Sequence, residues 1–388
     1  MAKHDRSGLG SLFTTASNYK SVEHSSGTKD RCRRVILLVD MDYFFAACEE
    51  LRHPEFSGKP LVVGADPEHG TGRGVVSTCN YTARKYGIHS AMPISSAYKL
   101  KPDAIFLPVD FRYYNKESEK VMRILRSQCD NFEQISVDEA FMDISGKFSF
   151  YYEALVFAQK IKDEIREKTG LPCSIGVSFN KLLAKMACES AKPNGIRLVT
   201  EKDKKRFLSG MPVGELYGVG QKTAAQLEKS GFRTIGDIAK TDKQKLISKF
   251  GKYGLSLYFS SNGIDDSSVE ETRDIKSVSR ETTFKKDTLD KKTLDRTIKK
   301  QSVEIVKELN QSLLKFRTVS IKIRYSDFSE HIRSITLKEA LNDHTILSET
   351  AINLCKEFLQ PGKPVRKIGV RASCLSDAKG DIKLTSFQ

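Results

Sequence analysis

The chain has 388 residues, 39% of them hydrophobic and 29% charged, with a formal net charge of +15. That length exceeds one ordinary core and asks for two to four domains. The longest aliphatic run, residues 35–39, is too short to cross a bilayer, and the polar first thirty residues hold no secretory apolar region. A basic excess of this size favours a polyanionic partner, nucleic acid before an acidic membrane surface, although charge alone leaves a merely basic soluble enzyme open. None of the eight cysteines lies in a CxxC pair. They read as reduced core residues of a cytosolic or nuclear protein, with neither a zinc site nor a disulfide framework.

Residues 1–33, rich in Ser, Lys, His and Gly, read as a flexible basic tail. From Arg34, RVILLVDMDYFFAACEEL predicts a buried strand ending at Asp40, then a helix with Phe44, Cys48 and Leu51 on one face. PLVVGA and GVVSTC predict two short strands joined by a Gly-rich loop, and NYTARKYG leads into a helix. A mixed-charge helix over 113–128 precedes EQISV and AFMDI, two strands meeting at Asp138 and Glu139. A helix over about 151–168, the strand CSIGVS and a helix over about 181–190 follow. This order predicts an α+β domain with helices on one face of an antiparallel sheet, and an insertion reaching to about residue 110.

Residues 200–262 are short helical pieces with Gly turns, and 263–276, without apolar periodicity, read as a linker. SVSRETTF, TVSIKIRYS, HIRSITL and KIGVRASCL then predict strands, with helices near 289–315 and 345–359. Val319, Ile321, Ile323 and Tyr325 alternate with Ser320, Lys322, Arg324 and Ser326. Ile368, Val370 and Ala372 alternate with Lys367, Gly369, Arg371 and Ser373. Each strand therefore has an apolar face for helices and a basic or small polar face fit for phosphates.

Acids inside apolar strands need a positive partner. If the strand ending at Asp40 and the pair of strands meeting at Asp138 and Glu139 are neighbours in one sheet, these three carboxylates converge at one edge. Such a cluster repels itself unless it holds cations, and oxygen ligands without His or Cys favour Mg²⁺. Two such ions suit in-line nucleotidyl displacement. A lone Asp-Glu pair would read first as a turn or cap; Asp40 at its strand end weighs against that. Asp42 is placed behind the cluster, its direction unsettled, and Asp143 reads as structural.

STCNYTARKYG carries Thr78, Tyr81, Arg84 and Lys85. Tyr81 and Arg84 share a face at a helix start, which suits a triphosphate, against an ordinary amphipathic helix. Lys192 precedes a Pro-Asn-Gly turn and could reach a phosphate, although helix ends often carry lysine. LYGVGQKTAAQLEKSGF fits a helix-hairpin-helix. Gly218 and Gly220 let the backbone approach a DNA phosphate and Lys222 adds charge; the alternative is a plain Gly-rich connection.

VDMDYFFAACE, GVVSTCNYTARKYGIHSAMP, ISVDEAFMDIS, SIGVSFNKLLAKMACESAKPNG and LYGVGQKTAAQLEKSG resemble, in order and spacing, the motifs of the Y-family DNA polymerases, the translesion class. The likeness is greatest to the DinB branch (polymerase IV and kappa-like, archaeal or bacterial) and runs from about Val35 to Leu375. It implies a right hand. A ferredoxin-like palm would take 34–43 and 111–199, small fingers 44–110, and a helical thumb with a helix-hairpin-helix 200–262. The linker over 263–276 would lead to a C-terminal α/β little finger with its tail, 277–388.

The resemblance implies Asp40, Asp138 and Glu139 as the catalytic metal carboxylates, with the Met41 carbonyl completing one site. Two Mg²⁺ ions are implied, with Mn²⁺ as a substitute. The Tyr43 and Phe44 amides, Tyr81, Arg84 and Lys192 would contact the triphosphate, with Thr78 in the same stretch. Phe45 would be a steric gate against a ribose 2′-hydroxyl; the alternative is a core phenylalanine. The thumb hairpin would grip the minor groove, and Lys322, Arg324, Lys367 and Arg371 would follow the backbone in the major groove.

The implied reaction is primer extension on a template by dNTP, at low fidelity and across damage, by a monomer. No exonuclease segment is read. The expected setting is the cytoplasm, on the nucleoid in a prokaryote, with no membrane. Relatives commonly end in a peptide that docks on a sliding clamp. Here Leu384 and Phe387 have that spacing, but Asp381 stands where Gln is expected. Clamp binding, a shortened chain and a motif continuing past Gln388 all stay open. Two other readings compete. A palm-type nucleotidyl cyclase would need neither helix-hairpin-helix nor basic sheet. A non-catalytic DNA-binding relative would lack the metal acids, and all three are present.

Overall fold

The computed structural model describes residues 31–271, 274–359 and 361–377. The segment before residue 31 and the tail with Asp381, Leu384 and Phe387 lie outside them. The chain divides into two units, Met1–Thr272 and Arg273–Gln388.

In the first unit β1 (Ile36–Met41) is buried along its whole length, as an unbroken aliphatic run requires when both faces are covered. It leads into α1 (Phe44–Arg52). The inserted segment comprises β2 (Leu61–Gly64), β3 (Val76–Cys79), α2 (Tyr81–Arg84), α3 (Ile94–Leu100) and β4 (Ile105–Leu107). Its sheet, β3-β2-β4, has a small core of its own around Val62, Ala83, Ile88 and Ile94. The chain then returns through α4 (Phe111–Arg126), β5 (Asn131–Gln134), β6 (Glu139–Asp143), α5 (Tyr151–Thr169), β7 (Cys173–Ser178), α6 (Lys181–Ala191) and β8 (Ile196–Val199). The sheet order is β5-β6-β1-β7-β8, antiparallel except for β7 with β8.

Helices cover both faces of this sheet, where the sequence suggested one. α1, α4 and α5 pack on Val35, Leu37 and Val39, whereas α6 lays Ala184 and Cys188 over Ile36, Leu38 and Phe141. The reason is that β1 is apolar on both sides, and each side needs cover. α6 lies so close to β7 that a Cβ on Gly176 would stand 1.9 Å from the Ala184 carbonyl oxygen.

The other flank of α6, through Leu182, Leu183 and Met186, joins a helical core with Leu208, Leu227, Ile235 and Leu246. That core is built by α7 (Lys204–Ser209), α8 (Gln221–Lys229), α9 (Ile235–Ala239), α10 (Lys243–Phe250) and α11 (Lys252–Ser261). Residues 264–271, expected as linker, are pinned to the sheet. Val269 is buried beside Ile36 and Leu38. Asp265 accepts the Leu182 N–H at 2.9 Å. Lys181, itself paired with buried Glu133, donates to the Ser268 carbonyl at 3.1 Å.

The second unit contains β9 (Ser277–Thr288), α12 (Lys291–Gln311), β10 (Leu314–Tyr325), β11 (Glu330–Leu341), α13 (His344–Lys356), β12 (Val365–Ser373) and β13 (Ser376–Asp377). The antiparallel order is β11-β10-β12-β9. Val319, Ile321, Ile323, Ile368 and Val370 face α12 and α13.

Candidate active site

The register of β1 and β6 sets Asp40 opposite Glu139. By strand alternation both continue the face of Ile36, Leu38 and Phe141 that α6 covers. α6 therefore brings Lys185 directly onto the acids. Its ammonium lies 3.1 Å from Asp40, 3.0 Å from Glu139 and 3.0 Å from Glu189. Lys192, just past the end of α6, lies 2.9 Å from Asp40 and 3.0 Å from Glu189. Burial works against both ammoniums, yet the surrounding carboxylates outweigh it and push both pKa values up. Glu189 is pulled below its ordinary range by Lys192 and Lys185 in spite of burial.

Asp138 sits in the β5–β6 connection, and its carboxylate accepts the Ser136 hydroxyl at 2.5 Å. Its main-chain oxygen accepts the Met41 N–H at 2.9 Å. Burial raises the Asp138 and Glu139 pKa values, and Asp40 adds to both. Among the described residues no three Asp, Glu, His or Cys side chains are gathered to hold a metal ion. Asp40 and Glu139 are drawn onto Lys185, and Asp138 onto Ser136.

These acids open on a cavity of about 220 Å³ that Met41, Tyr43, Phe44, Phe45, Thr78, Arg84 and Lys192 also line. The turn into α1 places Tyr43 at φ 41°, a left-handed conformation unusual for a bulky residue. Its hydroxyl donates to Glu50 at 3.3 Å, and burial with Glu50 beside it pushes the phenol up to about 12. Tyr81 meets Tyr43 edge-on at 5.3 Å and carries the Arg84 guanidinium 4.6 Å above its ring. Both are presented by α2, capped by the Asn80 side chain, which accepts the Ala83 and Leu61 N–H groups and donates to Glu50. Phe45 stacks on Tyr114 at 4.4 Å, and the Tyr114 hydroxyl donates to buried Glu49 at 2.7 Å.

Comparison with known proteins bears on this arrangement. The impB/mucB/samB family model matches residues 39–189, and the model of that family's C-terminal domain matches 275–384. A thumb-domain model described for DNA polymerase-iota matches 214–265. DNA polymerase IV of Methanoculleus marisnigri is 44% identical over 88% of this chain and 94% of its own. The chain belongs to the Y-family DNA polymerases. DNA polymerase IV of Streptococcus pyogenes is 37% identical over 90% of this polymerase and 96% of its own length. Among solved structures, a Y-family polymerase chimera superposes with a TM-score of 0.80 at 30% identity, over 88% of this chain and 98% of its own. An insertion ternary complex of Dbh DNA polymerase gives 0.62 at 29%, over 87% and 98%. The family makes this a DNA-directed DNA polymerase, with a mixed α+β right-hand fold.

Elsewhere in the polymerase, Gly218 sits at φ 88° before α8, and a Cβ on Gly218 or Gly220 would meet nothing within 4 Å. Lys222 is exposed on the first turn of α8. In the second unit Lys322 lies opposite Gly369, Arg324 opposite Lys367 and Ser320 opposite Arg371, on the sheet face away from the helices. That face also carries acids the sequence reading passed over. Glu281 pairs with Lys322 at 3.1 Å and with Lys367 at 2.5 Å, and Glu330 with Lys322 at 3.3 Å and Arg324 at 2.5 Å. The missed residues of the active site are Lys185 and Glu189, whose i,i+4 spacing in KMACE was the available signal. Among the described residues the cysteines are free thiols, and no helix is long and apolar enough to cross a membrane.

Proposed function

We propose that this polymerase extends a primer opposite damaged as well as intact template, releasing pyrophosphate and without proofreading. One observation carries the reading above the others: the cross-strand pair Asp40–Glu139, flanked by Asp138, opens on the cavity that Lys192 reaches. The donor set fits a hard divalent cation. It offers carboxylate and peptide oxygens, no thiol and no imidazole, and it already attracts two ammoniums. Two Mg²⁺ ions, with Mn²⁺ as substitute, would be held by Asp40, Asp138, Glu139 and the Met41 carbonyl. When bound, they acidify the primer 3′-hydroxyl and neutralise the leaving pyrophosphate.

The chain's own groups do the rest. Lys192 exchanges a carboxylate for a phosphate oxygen of the dNTP. Arg84, Tyr81 and the Tyr43 and Phe44 amides meet the same triphosphate, with Thr78 beside them. Phe45, backed by Tyr114, occupies the space a 2′-hydroxyl would need. The Gly218–Gly220 loop and Lys222 are contacts for primer-template DNA, and so, taken by themselves, are Lys322, Arg324, Lys367 and Arg371. The small finger core enforces base-pair geometry weakly, hence the low fidelity. The polymerase acts as a monomer in the cytoplasm, and clamp docking by the C-terminal tail, where Asp381 stands in place of the expected Gln, stays open.

Primer extension with Mg²⁺ on an intact template and on one with an abasic site tests this. Extension through both is expected, and Asp138→Ala abolishes it while DNA affinity stays within about threefold. Nucleotide turnover without primer-template would favour a cyclase instead. DNA binding without synthesis by the parent would leave a non-catalytic relative.

A further inference from the structure

Asp42 is two residues past Asp40 and 1% exposed, and its carboxylate is taken up by the turn that carries Lys192. It accepts the Asn194 N–H at 2.7 Å and the Ser174 hydroxyl at 3.0 Å. Ser174, fully buried in β7, in turn accepts the Gly195 N–H at 3.3 Å. Asn194 is also held at its carbonyl oxygen, which accepts from the Lys162 ammonium of α5. The turn has little freedom of its own. Asn194 sits at φ 54°, and a Cβ on Gly195 would stand 2.1 Å from the Ala191 carbonyl oxygen. Three separate elements, the exit of β1, β7 and α5, thus seat four residues whose first member is Lys192.

We propose that Asp42 is a positioning residue for nucleotide binding: it seats the turn 192–195 and so aims the Lys192 ammonium at the incoming triphosphate, with Lys162 bracing the same turn at the Asn194 carbonyl. This rests on reading Lys192 as a phosphate contact. The physical reason is geometric. A lysine on a flexible stem loses much rotamer freedom when it binds a phosphate. A fixed Cα lowers that cost, and a charged acceptor buried beneath the turn fixes it more firmly than water would.

The test is the dNTP dissociation constant from single-turnover extension by the whole chain, with DNA affinity by anisotropy and the melting temperature alongside. Asp42→Ala is expected to weaken dNTP binding about tenfold, the worth of one charged hydrogen bond, and to leave DNA affinity unchanged. Asp42→Asn keeps an acceptor for the Asn194 N–H and should recover most of the loss. Lys162→Met should weaken dNTP binding about threefold, and it carries the test should Asp42→Ala fail to fold. In a Lys192→Ala background, Asp42→Ala should cost nothing further.

A lowered melting temperature with unchanged dNTP affinity in Asp42→Ala, or in Lys162→Met, overturns the proposal by leaving these residues a purely structural role. Full additivity with Lys192→Ala overturns it too. Lys192→Ala with unaltered dNTP affinity removes the phosphate reading itself, and is told apart from the other failures by that single variant.

Discussion

Replacing Lys185 with Met keeps the aliphatic stem and removes the charge. The parent ammonium touches Asp40, Glu139 and Glu189 at 3.0–3.1 Å with its side chain only 13% exposed. Removing one partner from a buried ion pair costs about 3–5 kcal/mol. Lys192 remains on Asp40 and Glu189, so Glu139 alone loses its ammonium. The low end, about 3 kcal/mol, therefore applies. For a unit of this size that lowers the melting temperature by roughly 6–12 °C. The pH dependence separates charge from packing. Burial already holds the Glu139 carboxyl above its ordinary range, with Lys185 pulling it back. A carboxyl with a raised folded pKa favours folding below its unfolded pKa, and this contribution is lost as pH rises through the folded value. Without Lys185 the folded pKa rises further, so the deficit is largest at neutral pH and closes as pH falls through the parent's raised folded value towards the ordinary carboxylate range. Millimolar Mg²⁺ should raise the melting temperature of the variant more than that of the parent. Calorimetry at neutral pH and in the carboxylate range, with and without Mg²⁺, checks this. A deficit that persists unchanged at the lower pH, or none at all, refutes the charge argument.

Phe45→Ala opens the space behind the stacked pair with Tyr114 and should raise ribonucleotide relative to deoxynucleotide incorporation roughly 10–100-fold; competition primer extension reads the ratio, and unchanged sugar selectivity refutes the gate. DNA affinity should fall linearly on a log–log plot against salt, and Arg371→Ala should reduce the slope by about 0.9, the value of one phosphate contact. A slope equal to the parent's would remove Arg371 from the DNA surface.

The acids stood out in the sequence because burial and charge conflict. A strand that is apolar on both faces cannot end in Asp40 without a partner, and the apolar setting of Asp138 and Glu139 poses the same problem. The C-terminal sheet was legible for a related reason, since strict alternation assigns Lys322, Arg324, Lys367 and Arg371 to one face whatever the strand order. Residues 264–271 were not legible. Val269 is their buried anchor, and Asp265 and Ser268 hold on through hydrogen bonds that leave no mark on hydropathy.

What meets the acids was the harder part. Lys185 and Glu189 read along the chain as an ordinary i,i+4 pair on a helix surface. Their meaning depends on α6 covering the second face of β1, the face an α+β reading with helices on one side leaves bare. Once Gly176 lets α6 approach β7, the turn of helix that carries Lys185 has to lie over Asp40 and Glu139, because these two residues continue the face of Leu38 and Phe141. Glu281 and Glu330 follow the same logic: strand alternation assigns the cations, but only the register Gly369↔Glu281 and Arg324↔Glu330 brings the acids beside them. Both charged surfaces thus carry internal counter-ions that hold the cations in place. If these cations take phosphate as proposed, they are ordered before the polyanion arrives and are exchanged between carboxylate and phosphate rather than drawn from solvent.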